Sequence, residues 1–108
     1  VNFTTYQEEA NRTSGARGEQ TVSRLVCAGL GAAGEAGELA NKIKKKVYHL
    51  HADMDDGIAE EIGDVLWYLA EVCNAFGWDM EAIAQENLDK LSKRYPDGFT
   101  VEDSINRN

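Results

Sequence analysis

Ala28-Gly29-Leu30-Gly31-Ala32-Ala33-Gly34-Glu35-Ala36-Gly37-Glu38 is the stretch on which the fold turns. Each glycine inside a helix costs about 1 kcal/mol relative to alanine, so a flexible loop competes with a helix here. The apolar period favours the helix. At roughly 100° per residue, Leu25, Ala28, Ala32, Ala36, Leu39, Ile43 and Val47 fall on one stripe that runs straight through the glycines. The pattern predicts a long helix from about Gln20 to Tyr48, its glycines compensated by the close approach of a neighbouring helix backbone.

On the amino-terminal side, Thr5 to Arg12 reads as a short helix. Thr4 or Thr5 caps it, and Glu8 and Glu9 lie in a first turn where the dipole favours acids. Ser14-Gly15-Ala16-Arg17-Gly18 connects it to the long helix. Lys42, Lys44, Lys45 and Lys46 suit that helix's negative end. Beyond His49-Leu50-His51-Ala52, Asp53 is read as the cap of a third helix, Met54 to Phe76, with a core stripe of Ile58, Ile62, Val65, Leu69, Val72, Cys73 and Phe76. Gly77 ends it, Asp79 caps a fourth helix from Met80 to Tyr95, and Pro96 stops that one. The remaining tail, 97–108, carries Phe99, Val101 and Ile105 without a strong period, and its last residues are expected to be mobile. Strand signals are almost absent. The expected fold class is all-α, a four-helix, bundle-like single domain spanning 1–108.

Composition narrows the function. With 28% charged and 43% hydrophobic residues the 108-residue chain reads as a soluble globular domain, and its net charge of -8 disfavours nucleic acid as a partner. No apolar run approaches a membrane span and the amino terminus lacks a signal-peptide pattern, so no membrane partner is expected. Cys27 and Cys73 both fall among apolar residues at helical spacing and are read as buried free thiols of a reducing, cytoplasmic compartment.

The chemistry-bearing residues are two acidic pairs, Glu35/Glu38 and Glu61/Asp64. Three-residue spacing puts each pair on one helix face. Both pairs flank the apolar stripes of consecutive helices, so four carboxylates converge if the helices lie side by side. Such a cluster disfavours its own ionised forms, and a hard oxygen-loving cation such as Mg²⁺ removes that cost. Ordinary solvated acids are the competing reading. Glu60 points further outward, either as a water-activating base or as plain surface charge. On the fourth helix Asn87, Lys90 and Arg94 form a row suited to polyphosphate oxygens, or else pair with Glu86 and Asp89. Carboxylates holding Mg²⁺ opposite a basic row are what hydrolysis of a nucleoside triphosphate requires. Other chemistries lack their residues. No phosphate loop or dinucleotide fingerprint is present, and neither His49 nor His51 follows a glutamate by three, as a di-iron site would need.

In three blocks the chain resembles the all-α nucleoside triphosphate pyrophosphohydrolases, specifically the short MazG-like proteins. The blocks are Gly34-Glu35-Ala36-Gly37-Glu38-Leu39; Glu60-Glu61-Ile62-Gly63-Asp64-Val65-Leu66-Trp67-Tyr68; and Asn87-Leu88-Asp89-Lys90-Leu91 with Arg94-Tyr95-Pro96-Asp97-Gly98-Phe99. The resemblance implies cleavage between the α- and β-phosphates to a nucleoside monophosphate and pyrophosphate, with one of the acids as base. It implies Glu35, Glu38, Glu61 and Asp64 as catalytic Mg²⁺ ligands, with Mn²⁺ a possible substitute, and Asn87, Lys90 and Arg94 as substrate contacts. Lys42, one turn beyond Glu38, is a further candidate for a phosphate. It also implies a homodimer or homotetramer, which suits a chain with Leu30, Trp67 and Trp78 off its main stripes. Gly34 stands where many relatives have another acid, which leaves the number of bound ions open. Two alternatives accompany this reading: a non-catalytic helical module that binds metal and nucleotide, and the related phosphoribosyl-ATP pyrophosphatase activity. Base identity is not legible.

Overall fold

A computed structural model describes residues 1–107, and these residues form an all-helical chain. Its elements are α1 (Phe3–Arg12), α2 (Val22–Tyr48), α3 (Asp55–Phe76), α4 (Met80–Arg94) and α5 (Val101–Asn106), with a short 3-10 turn at Ala52–Met54 between α2 and α3. The glycine-rich stretch is helix throughout, as the period required.

Local chemistry sets the ends. Thr21 accepts from the Arg24 N–H to cap α2, and Asp79 accepts from the Glu81 N–H to cap α4. Gly77 closes α3 in the left-handed region at φ 74°, where its lack of a Cβ avoids a steric cost. Two expected caps are corrected. The side chain that caps α1 is Asn2, which accepts from Thr5 N–H, rather than Thr4 or Thr5. Asp53 lies inside the 3-10 turn and caps nothing, because that turn leads directly into α3, whose first turn carries Asp55 and Asp56 instead. The tail also departs from expectation. Thr100 accepts from Asp103 N–H and starts a fifth helix, a local signal independent of any apolar period. The expectation of mobile last residues falls partly on Asn108, which lies outside the described residues.

The α2 and α3 helices form an antiparallel hairpin, the most extensive packing in the molecule, and α1 lies on α3. α4 makes its main packing against α1. One side chain fixes that corner. Gln7 donates to Asn74 Oδ1 at 2.9 Å and to the Trp78 carbonyl at 2.7 Å, while its own Oε1 accepts from the Met80 N–H at 2.8 Å. Glu81 on α4 returns the contact, accepting from the free backbone N–H groups of Phe3 and Thr4 at the start of α1. On the other side of α1, Arg24 of α2 donates to Glu71 Oε1 at 2.7 Å, to Asn11 Oδ1 and to the Glu19 carbonyl, and Ser14 Oγ donates to Glu71 Oε2. This buried network ties the connection between α1 and α2 to the C-terminal part of α3.

The apolar core is small. Ala10, Ala70, Cys73 and Met80 form its buried centre, with Tyr6, Leu66 and Trp67 packed against it, and among the described residues no large side chain is fully buried. Parts of both expected stripes are exposed instead: Ile43 and Val47 on α2, and Ile62, Leu69 and Phe76 on α3. The cause is that α4 turns to α1 and does not close over the hairpin. Cys27, expected to be buried, is exposed. The glycines of α2 were expected to admit a neighbouring backbone. Only Gly31 meets a close neighbour, and it is the Tyr68 ring; Gly29, Gly34 and Gly37 face open space.

The chain is correspondingly spread out. Its radius of gyration is 16.9 Å, against about 13 Å for a compact domain of this length. Its accessible surface is 7679 Å², where a compact monomer of this mass exposes roughly 5,900 Å². Among the described residues no helix is long and apolar enough to cross a membrane.

Candidate metal centre

Glu35 on α2 and Glu61 and Asp64 on α3 meet across the hairpin, each offering a carboxylate oxygen within 4.8 Å of the others. The register is set by the two helices' own contacts. Lys46, near the end of α2, pairs with Asp55 at the start of α3, and one turn before Glu35 the Tyr68 ring lies against Gly31. Glu35 and Gly31 are four residues apart on α2, as are Asp64 and Tyr68 on α3, so the aromatic contact and the acids share one face of each helix.

The electrostatics of the group are those of crowded anions. Glu61 is buried at 7% exposure. Its Oε1 accepts from Lys42 Nζ at 2.8 Å, and its Oε2 is buried with no hydrogen-bond donor from the described residues. Glu35 is pushed up to about 7 from its ordinary 4.5, first by a proton shared with Glu61, then by burial and by the charges of Glu61, Asp64 and Glu38. Glu61 is held below its ordinary value, chiefly by the Lys42 ammonium and then by Glu35. Lys42 is raised in return, through the same bond to Glu61. The protein thus has two ways to satisfy the bare Glu61 Oε2: a proton on Glu35, or a cation between the carboxylates.

The donor set fits a divalent cation. All three groups are carboxylates, the ligands that Mg²⁺, Ca²⁺ and Mn²⁺ prefer, and one of them carries a buried oxygen without a donor among the described residues. Glu38 stands outside this trio, exposed on the next turn of α2, near enough for its charge to raise both Glu35 and Lys42. Glu60 is exposed and acts on Lys42 through its charge alone.

The basic row on α4 is not assembled with the acids. Lys90 and Arg94 line a shallow surface depression with Glu86, Asp89 and Lys93, so like and unlike charges of the same helix surround them. Asn87 lines a different, apolar groove of about 380 Å³ formed with Leu69, Val72, Trp78 and Ile83. The physical reason is again the docking of α4 on α1. Of the aromatic and amide groups near the site, Gln7 is consumed by the α3–α4 corner and Trp67 donates to Thr13 Oγ1 at 2.7 Å. The Tyr6 hydroxyl is raised by burial and then by the charge of Asp64, which places α1 close to the acidic group.

The ion pair between Lys42 and Glu61 is absent from the sequence reading. Lys42 is seven residues after Glu35, so a shared face was legible, but its choice of partner on another helix depended on the hairpin register.

Residues 28–99 match the family model described as the MazG nucleotide pyrophosphohydrolase domain. The Gene 37 protein of Mycobacterium phage L5 is 34% identical over 109 residues, covering 94% of this chain and 96% of that protein. Its name states no activity. No solved structure matches the chain.

Proposed function

Because the chain belongs to the MazG nucleotide pyrophosphohydrolase family, we propose that it hydrolyses a nucleoside triphosphate between the α- and β-phosphates, releasing a nucleoside monophosphate and pyrophosphate. The observation that carries this reading is the meeting of Glu35, Glu61 and Asp64 around the bare, buried Glu61 Oε2. These three hold Mg²⁺, or Mn²⁺ in its place, with Glu38 completing the set from the next turn. A divalent cation there neutralises phosphate charge and lowers the pKa of an attacking water. The acids orient that water and one of them takes its proton, while Lys42 contacts the phosphates.

Asn87, Lys90 and Arg94 reach substrate through assembly. A second copy of the chain, as a homodimer or within a homotetramer, covers the exposed apolar face of the hairpin and brings a basic row toward the acids. The surplus accessible surface and the exposed Ile62, Leu69 and Phe76 support that assembly. The biological role that fits this reaction is removal of unwanted deoxynucleotides or noncanonical nucleotides from the cytoplasmic pool.

The test is incubation of the purified chain with a nucleotide panel and Mg²⁺, with product analysis. Pyrophosphate and monophosphate are expected. Release of orthophosphate, or tight nucleotide binding without turnover of any substrate, would overturn the proposal, the latter in favour of a binding module. Turnover confined to phosphoribosyl-ATP would move the chain to that related reaction.

A further inference from the structure

We propose that Lys42 is an exchangeable internal counter-ion: its ammonium holds Glu61 while the carboxylate group is metal-free, and leaves for a substrate phosphate once a divalent cation is bound. The inference rests on the metal-dependent reading above and adds to it an order of events and a role for one residue.

Lys42 extends from α2 across to α3 and donates to Glu61 Oε1 at 2.8 Å, with a quarter to a third of its side chain still open to solvent. Among the described residues neither Glu35 nor Asp64 makes an ion pair, so this ammonium is the positive charge in contact with the trio. One lysine leaves the arrangement unfinished. Glu61 Oε2 lacks a donor wherever Glu35 is ionised, and two further carboxylates lie within 4.8 Å. The contact is therefore suited to holding the group together without fully compensating it.

The ammonium is also not sealed in, since 29% of the Lys42 side chain is exposed. Lys42 lies over Gly57, one turn before Glu61 on α3, where an added Cβ would meet Lys42 Cδ and Nζ at 3.5 Å. That separation is an ordinary van der Waals contact, so Lys42 packs beside α3 at Gly57 without crowding. Lysine is a flexible point charge rather than a rigid fork, so it can exchange one oxygen anion for another without a matched geometry. Once the carboxylates share a divalent cation, Glu61 attracts the ammonium less and the two cations repel across a few ångströms. A polyphosphate at the same face then offers Lys42 the stronger anion.

The exchange predicts effects of opposite sign from one substitution. In calorimetric titrations of the whole 108-residue chain, Lys42→Met binds Mg²⁺ about tenfold more tightly than the unmodified protein, the scale of a lost charge-assisted hydrogen bond. The Mg²⁺-loaded variant binds a non-hydrolysable α,β-imido nucleotide about tenfold more weakly. Lys42→Arg, which keeps a competing cation, leaves Mg²⁺ affinity near that of the unmodified chain. Mg²⁺ affinity unchanged or weakened in Lys42→Met would mean that Lys42 stays on Glu61 to orient it, and the proposal fails. A measurement on the unmodified chain guards against a variant that does not fold: the NMR signal of the Lys42 NζH₃⁺ group shifts or broadens during Mg²⁺ addition, and its persistence through saturation overturns the exchange. If the unmodified chain binds no divalent cation, the metal-dependent function falls together with it; if it binds one while the lysine signal and the Lys42→Met affinity stay put, only the exchange falls.

Discussion

The Tyr68 ring lies so close to the α2 backbone at Gly31 that a Cβ on residue 31 would stand 2.1 Å from its Cε1. No real side chain tolerates that separation, so Gly31→Ala must displace the ring or part the helices. We expect a loss of about 1–3 kcal/mol in chemical denaturation and a changed near-ultraviolet circular dichroism spectrum from the Trp67–Tyr68 pair, which meets edge to face with centroids 5.0 Å apart. Gly34→Ala is the contrast, since nothing lies within 4 Å of its added Cβ. It should stabilise the chain by up to about 1 kcal/mol. A loss at Gly34 instead would reveal a second copy packed there.

Glu61 is the carboxylate whose removal should cost most metal affinity, because it is the buried member of the trio. Glu61→Gln also leaves Lys42 without its partner. Glu38→Gln should abolish turnover with little loss of fold, since it keeps the shape and Glu38 is exposed. Titration calorimetry and product release separate the two cases: Glu61→Gln loses Mg²⁺ binding by about a hundredfold, whereas Glu38→Gln retains more binding than activity. Full turnover in Glu38→Gln would remove it from the ligand set.

The shared proton gives the site a pH dependence with a definite sign. Glu35 is raised to about 7, so the folded chain favours its protonated form. That contribution to stability is fully present below the ordinary value of 4.5 and is lost as pH rises through about 7. Glu61, being lowered, contributes above its ordinary value and loses that contribution as pH falls below it. Metal binding must displace the Glu35 proton. Calorimetry in buffers of different ionisation enthalpy should therefore show proton release at pH 6 and little at pH 8, with affinity rising between them.

Arg24 and Glu71 form a buried pair at 2.7 Å with side chains only 3% and 9% exposed. Removing one partner strands the other charge, so Arg24→Met should destabilise the chain by about 3–5 kcal/mol. Arg24→Met combined with Glu71→Leu should recover much of that loss, because neither charge is then left alone. A double variant as unstable as the single one would show that the bonds from Arg24 to Asn11 and the Glu19 carbonyl carry the network.

Much of this was legible in the sequence, for reasons visible at particular residues. The stripe from Leu25 to Val47 outweighed four glycines because a helix period is local, and Gly77, Asp79 and Pro96 act on their own neighbours. The acidic trio was legible as two i, i+3 pairs, needing only an antiparallel hairpin to meet. What escaped was decided by contacts between distant segments. The placement of Asn87, Lys90 and Arg94 away from the acids follows from Gln7 holding the start of α4 to α1, and nothing in the local pattern of α4 announces it. Ile62 and Phe76 looked like core because an amphipathic stripe does not itself say whether another helix covers it.

The Gln7 brace and the packing of α4 on α1 separate two boundaries that are easily treated as one. The family match begins at residue 28, after α1 has ended. A fragment cut to the matched residues would carry Glu35, Glu38, Glu61, Asp64 and the whole basic row, yet would lack Ala10, Tyr6 and Gln7, which supply the core contact and hydrogen bonds beneath α4. Such a fragment keeps the family's signature and gives up the chain's own keystone, so the recognisable segment and the segment that folds are different lengths of the same polypeptide.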